Sequence, residues 1–251
     1  MASVVRAGSR IEYEVTGDGP PLVLLHGFFG DRSTWHAAGH VGALADQFRL
    51  ILIDLIGHGG SDAPPDPARY QMDEHARDIV AVLDSLDVGR AAVWGASMGG
   101  RVGFRLMARS PGRLAALIAG GAHACVVETD PAELERETTL LREQGTAPFA
   151  GAIEPDWMRR VVLRADGRAL AAQALSDAAE QGMPPELDSA PVPVLLLAGE
   201  RDPRLHLIRV TAGRLSRAEV AVLPGCGHFD TFARADLTVP LAREFLGRPR
   251  P

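Results

Sequence analysis

Residues 91–107 read Ala-Ala-Val-Trp-Gly-Ala-Ser-Met-Gly-Gly-Arg-Val-Gly-Phe-Arg-Leu-Met, and they constrain this chain more than any other stretch. The run from Ala91 to Trp94 is apolar and short enough for a buried strand, while Val102, Phe104, Leu106 and Met107 supply the apolar residues of a helix. Between them Gly95-Ala96-Ser97-Met98-Gly99 fits the pattern G-x-S-x-G. A strand that turns at once into a helix holds its corner residue in a strained backbone conformation, and the two elements nearly collide there. Gly95 and Gly99 remove the side chains that would clash, which predicts Ser97 at the corner with its hydroxyl raised above the sheet edge. Gly100 and Gly103 let the helix pack close to the strands. The helix N-terminus leaves the Met98 amide free to donate to an anion.

The rest of the chain supplies a frame for such a corner. Apolar runs at Leu22–Leu25, Phe48–Ile53, Leu114–Ala119 and Pro193–Ala198 have the character of strands covered on both faces. Arg10–Val15 alternates like a half-buried strand beside Ser3–Val5, and Glu219–Leu223 is a further short strand. Helices are expected over Thr34–Asp46, Met72–Leu86, Leu205–Leu215 and Leu237–Leu246, with Pro64, Pro65 and Pro67 keeping the chain irregular before Met72. Strands that alternate with helices pair in parallel through right-handed crossovers. The alternation stops near His123. From there to Ser189 the chain offers only helices: one from Pro131 with Asp130 as its cap, one over Asp156–Leu163 and one over Ala169–Glu180. Too few residues lie in this segment to bury a core of their own. The expected organisation is an α/β core domain of residues 1–122 and 190–251, with residues 123–189 inserted as a small helical lid.

Bulk properties exclude several classes of partner. A net charge of −6 with no Lys/Arg block argues against nucleic acid. The longest apolar runs are far too short to span a bilayer, and Met1–Arg6 lacks the apolar segment of a signal peptide. Cys125 and Cys226 make no disulfide framework, which fits a reducing compartment. The expectation is a cytoplasmic protein that acts on a small molecule, with no membrane or nucleic-acid partner; the sequence is silent on oligomeric state.

In open α/β sheets the loops at the carboxyl ends of the strands meet in one crevice. Four such loops carry polar candidates: His26–Gly30, Gly95–Gly99, Gly199–Asp202 and Gly225–His228. A serine hydroxyl becomes a useful nucleophile when a base takes its proton, and a third group must orient that base. The order Ser97, Asp202, His228 is the one expected when a G-x-S-x-G corner precedes its partners. His228 is the candidate base and Asp202 the candidate acid. Asp54, which also ends a strand, is the rival acid, and it is equally placed to brace the glycine loop that follows. The backbone amides of Phe28 and Met98 are the candidate oxyanion donors, with His26 as a structural histidine of the same loop. No histidine has metal-ligand spacing, so no metal is expected. Phe149, Trp157, Met158 and Met183 in the helical segment point to a modest, mainly apolar pocket. Phe29, Arg101, Trp157 and Phe229 are candidate substrate-binding residues.

At this point the chain resembles the α/β-hydrolase fold superfamily, in its serine-nucleophile branch. The resemblance rests on His26-Gly27-Phe28, Asp54-x-x-Gly57-His58-Gly59-x-Ser61, Gly95-Ala96-Ser97-Met98-Gly99-Gly100, Gly199-Glu200-x-Asp202 and Gly227-His228. It implies a mostly parallel eight-stranded sheet flanked by helices, a Ser–His–Asp triad and no cofactor. Haloalkane dehalogenases and epoxide hydrolases of this fold place an aspartate where this chain has Ser97, which argues against both. Within the superfamily, His26-Gly27-Phe28, Asp31, Gly57–Ser61 and Ser97–Val102 are similar to the menaquinone-pathway (SHCHC) synthase, and Arg101 matches its elbow arginine. Arg159, Arg160 and Arg164 cannot be aligned with that enzyme and read as a solvated helix face.

The sequence therefore predicts a serine hydrolase that cleaves a small carboxylic ester, thioester or lactone through an acyl-enzyme on Ser97. Two alternatives differ in kind. One is a lyase in which the same side chains remove a proton and drive an elimination. The other is a non-catalytic binding protein on this fold, since fold alone never assigns function.

Overall fold

The computed structural model describes residues 1–248 except Val127, Ala152, Glu154 and Gln181. The chain opens with a hairpin, β1 (Ala2–Arg6) and β2 (Ser9–Thr16). Ala7 and Gly8 turn it with φ of 48° and 76°, the left-handed pair that matches strand twist. Then come β3 (Pro21–Leu25), α1 (Ser33–Ala37), α2 (His40–Leu44), β4 (Arg49–Ile53), α3 (Met72–Ser85), β5 (Ala91–Ala96), α4 (Met98–Arg109) and β6 (Leu114–Gly120). The segment after β6 holds α5 (Pro131–Gln144), α6 (Ala147–Ala150), α7 (Asp156–Arg164), α8 (Gly167–Ala179) and α9 (Glu186–Ser189). The chain ends with β7 (Val194–Gly199), α10 (Leu205–Arg214), β8 (Ala218–Leu223), α11 (Asp230–Ala233) and α12 (Ala235–Gly247).

The eight strands form one sheet in the order β1-β2-β4-β3-β5-β6-β7-β8. The pairs β1–β2 and β2–β4 are antiparallel and all later pairs are parallel. The runs read as doubly covered strands do alternate between two cores. Val23, Leu25, Ile51 and Ile53 face α3 and α4, where they meet Ile79, Val82, Leu83, Val102 and Leu106. Leu22, Leu24, Leu50 and Leu52 face the other way, toward Trp35, Leu44, Val239 and Phe245. Burial on both sides is what a parallel sheet requires, and it holds the carboxyl ends of β3, β5, β6 and β7 as a rigid rim.

Local departures from the sequence reading have local causes. The single helix expected over Thr34–Asp46 is two, because Gly39 takes a left-handed φ of 86° and ends α1. The prolines before α3 do not leave the chain irregular throughout: Pro67–Tyr70 is a 3-10 turn capped by Asp66, whose side chain accepts the Ala68 amide at 2.9 Å. Helix α5 starts at Pro131 with Asp130 accepting the Ala132 amide at 3.0 Å. Asp166 does the same for α8 and starts it at Gly167, two residues before the expected Ala169.

Candidate active site

β5 runs directly into α4 at Ser97, whose φ of 48° and ψ of −108° are strained for a residue with a side chain. The glycines around it have no room for anything larger. A Cβ on Gly95 would overlap the Gly99 backbone, and one on Gly99 would lie 2.5 Å from the Leu25 carbonyl oxygen. One on Gly100 would lie 2.6 Å from the Ala122 Cβ. The Ser97 amide donates to Gly120 O at 2.7 Å and the Gly99 amide to His26 O at 3.1 Å, which ties the corner to both neighbouring strand ends.

His228 sits in the turn between β8 and α11. Its Nε2 is 3.1 Å from Ser97 Oγ and its Nδ1 is 2.8 Å from Asp202 Oδ2. A neutral ring that donates Nδ1–H to the carboxylate accepts the serine hydroxyl on Nε2. Thr231 Oγ1 donates to His228 O at 2.8 Å and fixes the backbone beneath the ring. Asp202 is buried in the turn after β7, and its other oxygen accepts the Arg204 amide at 2.9 Å. Burial alone would raise the Asp202 carboxyl, but the His228 hydrogen bond and the Arg204 amide outweigh it and hold the group below the usual carboxylate range.

The rival acid is committed elsewhere. Asp54 Oδ1 accepts the Arg32 amide at 2.7 Å, and Oδ2 accepts the Gly60 amide at 2.8 Å and pairs with the Arg32 guanidinium. It braces the glycine loop. His26 is fully buried; its Nδ1 donates to Gly27 O at 2.9 Å and its Nε2 accepts the Leu55 amide at 3.1 Å. Phe28 and Met98 line the same cavity as Ser97, and neither backbone amide donates to another described residue. His58 holds the Phe28 carbonyl from behind, Nε2 to O, at 2.8 Å.

This cavity has a volume of about 570 Å³. One wall is apolar, with Phe28, Phe29, Met158, Val161, Val162 and Phe232. The pocket is mainly apolar, as expected, and its other end carries Arg101, Glu137, Asp177 and Glu180. Phe29, Arg101 and Phe229 line the cavity as expected, and Trp157 does not. Helix α7 turns Met158, Val161 and Val162 inward at helical spacing, so Trp157 falls to one side and packs on the second apolar core. Phe149 and Met183 are also off the wall: Phe149 lies against Phe29 with ring centroids 5.6 Å apart, and Met183 packs on the first core. The three arginines lie on a solvated face as expected: Arg159 pairs with Asp156, Arg160 is exposed, and the exposed Arg164 reaches Ser33 Oγ at 3.1 Å. Cys125 and Cys226 are both free thiols.

A family model of the alpha/beta hydrolase fold matches residues 20–166. The chain belongs to the α/β-hydrolase fold family. It is 30% identical, over 88% of its length and 93% of the relative's, to the pimeloyl-[acyl-carrier protein] methyl ester esterase of Nitrosomonas europaea (strain ATCC 19718 / CIP 103999 / KCTC 2705 / NBRC 14298). It is 25% identical, over 96% of its length and 97% of the relative's, to a Bacillus subtilis (strain 168) protein provisionally named 2-succinyl-6-hydroxy-2,4-cyclohexadiene-1-carboxylate synthase. The solved enol-lactonase of Burkholderia xenovorans LB400 superposes with a TM-score of 0.87 at 25% identity, covering 98% of this chain and 100% of that one.

Gly121 of this α/β-hydrolase site lies outside every motif read from the sequence, and the motif that contains Gly199 does not say why a glycine is needed there. Gly121 has a φ of 63°, and a Cβ there would lie 2.8 Å from His228 Cε1. A Cβ on Gly199 would lie 2.5 Å from Cys226 O, so the strand that carries Asp202 can approach the His228 turn only as glycine. The signal for both was available: each is a glycine at the carboxyl end of an apolar strand. Asp177, Glu137 and Glu180 gave no such signal, because charged residues on amphipathic helices usually face solvent.

Proposed function

We propose that this α/β-hydrolase is a serine hydrolase that cleaves a small carboxylic ester, thioester or lactone. The observation that carries the reading is the continuous chain Ser97 Oγ–His228 Nε2 at 3.1 Å and His228 Nδ1–Asp202 Oδ2 at 2.8 Å, opening on a cavity with two uncommitted amides. Ser97 Oγ attacks the substrate carbonyl carbon while His228 Nε2 takes its proton. The carbonyl oxygen gains the negative charge and is held by the Phe28 and Met98 amides. As the tetrahedral centre collapses, His228 returns the proton to the leaving oxygen or sulfur, and the acyl group stays on Ser97. His228 then takes a proton from water, the hydroxide attacks the acyl carbon, and the carboxylic acid leaves with Ser97 restored. Asp202 keeps the imidazole in the Nδ1–H tautomer and stabilises its cation. The helical segment 123–189 acts as a lid that supplies Met158, Val161 and Val162 to the cavity wall. The similarity to an esterase and to an enol-lactonase supports this reaction class.

A second reading keeps the same side chains and uses His228 and Ser97 for proton abstraction and elimination. It is favoured by the near full-length similarity to the provisionally named synthase. Activated aryl esters separate the two. Turnover with a trapped acyl group on Ser97, lost in Ser97→Ala, is the expected result. Inertness toward esters and fluorophosphonates, together with elimination from an acidic cyclohexene, would replace hydrolysis with the lyase.

A further inference from the structure

A second cavity, of about 420 Å³, lies beside the one that holds Ser97. Phe29, Gly30 and Val161 line both. Gly30 has no side chain, so the partition between them is the Phe29 ring from the loop after β3 and the Val161 side chain from α7. Phe29 directly follows Phe28, whose amide is a candidate oxyanion donor. Its ring is held edge-on to Phe28 and tilted against Phe149, with centroids 4.9 and 5.6 Å away. Val161 is buried. Arg164, one turn further along α7, donates from Nη2 to Ser33 Oγ at 3.1 Å and to Asp31 Oδ2 at 3.4 Å. Arg164, Asp31 and Ser33 all line the second cavity, so the bridge that ties α7 to the loop after β3 belongs to it.

The second cavity differs from the first in chemistry. Asp31, Arg32, Asp54, His58, Arg164 and Asp166 line it, and each already has a partner. Arg32 pairs with Asp54 and reaches Glu12 at 3.0 Å. Asp166 Oδ1 accepts the Arg168 amide at 2.8 Å. His58 lies between Ile56 O at 3.0 Å and Phe28 O at 2.8 Å. A charged ligand would have to break one of these pairings, and an alkyl chain would strip water from them and return no hydrogen bond. An uncharged chain that carries oxygens does neither. Arg164 uses Nη2 for both of its contacts, so the N–H groups on its Nε and Nη1 remain to meet such oxygens.

We infer that Phe29, together with Val161, is the specificity-determining group that closes the reaction cavity against this polar chamber and so excludes esters with a long, uncharged, oxygen-bearing chain. The inference rests on the hydrolase reading above and limits its substrates to those that fit the main cavity of about 570 Å³. Trimming the ring joins the two spaces, and the chain then admitted is an oligoether or a polyol, not a fatty one.

The p-nitrophenyl esters of butanoate, decanoate and trioxadecanoate test it; the last is decanoate with ether oxygens in place of every third methylene. Each long ester is read as its kcat/KM relative to butanoate with the same enzyme, and comparing that ratio between variants cancels intrinsic reactivity. In Phe29→Ala the trioxadecanoate ratio is expected to rise at least about tenfold over wild type, and the decanoate ratio by less than about threefold. Val161→Ala opens the partition from the other side, leaves the oxyanion loop untouched and raises the same ratio. Acetates of decanol and of its oligoether analogue repeat the comparison for the alcohol half of the ester. A rise in either series supports the partition and tells which half lies against Phe29. Unchanged ratios in both series and both variants overturn it, while butanoate turnover keeps the hydrolase standing. An equal rise for alkyl and oligoether chains overturns the polar assignment of the chamber. If no ester turns over, the hydrolase reading falls, and calorimetry with tetraethylene glycol dimethyl ether decides the partition. Affinity about tenfold higher in Phe29→Ala than in wild type supports it, and equal or undetectable binding in the two overturns it.

Discussion

Gly121 and His228 fit together as an absence against a ring: a Cβ on Gly121 would lie 2.8 Å from His228 Cε1 and 2.9 Å from its Nδ1. The imidazole stays in line between Ser97 and Asp202 because the neighbouring strand end carries no side chain. Gly121→Ala should push the ring off that line and also pay for a left-handed φ of 63°. The expected outcome is a fall in kcat of about a hundredfold or more, since misplacement by an ångström costs that much. Stability should drop by only about 1–3 kcal/mol. Steady-state kinetics with an aryl ester, read beside the thermal midpoint, checks both. Unchanged kcat in a folded variant would remove the positional role assigned to Gly121.

Asp202 and Asp54 should respond to the same substitution in opposite ways. Asp202→Asn keeps the shape and removes the charge that orients His228, so kcat should fall on the order of 10³–10⁴ with little loss of stability. Asp54→Asn weakens the grip on Arg32 and the Gly60 amide, and should cost about 2–4 kcal/mol while kcat/KM stays within about tenfold. Chemical denaturation and ester kinetics on both variants decide the matter, and a swapped pattern would make Asp54 the acid.

The contrast between these two aspartates also marks how far the sequence could be read. The sheet was legible because buried parallel strands leave continuous apolar runs, and the elbow because strand, Gly, Ser and Gly occur in a fixed order. Ser97, Asp202 and His228 were legible from chain order at strand ends. The cavity was less so. Trp157 and Met158 are adjacent and both apolar, and only the rotation of α7 decides which one faces the substrate. Asp177 and Glu137 look like solvent-facing charges of amphipathic helices until packing turns α5 and α8 toward α4. The break at Gly39 was written in the sequence, but a single glycine inside an apolar-periodic run is ambiguous until its φ is known.

Two glycines of α4 separate rigid from yielding contacts. A Cβ on Gly99 meets the Leu25 carbonyl oxygen at 2.5 Å, a backbone atom in the middle of the sheet that cannot step aside. A Cβ on Gly103 meets Cδ1 of Leu117, the end of a side chain that can change rotamer. Gly103→Ala should therefore be close to neutral, within about 1 kcal/mol, because the gain in helix propensity offsets the repacking. Gly99→Ala should cost more than about 3 kcal/mol or abolish folding. Equal costs at the two sites, measured by urea denaturation, would contradict the distinction.

Acid should unfold this protein well before its carboxylates titrate, because several histidines are buried as neutral rings. Burial lowers His26 to about 3 and His40 and His75 to about 4, and it lowers His58 as well. In the unfolded chain these rings titrate near 6.5. Between that value and the folded values the unfolded state binds more protons, so stability falls as pH falls through the window from about 6.5 to about 4. Each ring shifted to about 4 accounts for on the order of 3 kcal/mol by the lower end of the window. Asp177 works in the opposite direction: burial raises it to about 6, so it contributes stability as pH drops, but it is one group against several. Denaturant midpoints should be level above pH 7 and decline steeply below about 6. His40 touches Trp35 and Trp94 edge-on at ring-centroid distances of 5.0 Å, and its Nε2 lies 3.1 Å from Thr238 Oγ1. His40→Phe should lower stability at pH 8 and make the decline below pH 6 shallower. A wild-type midpoint that held constant down to pH 4.5 would mean that these rings are not neutral in the folded state.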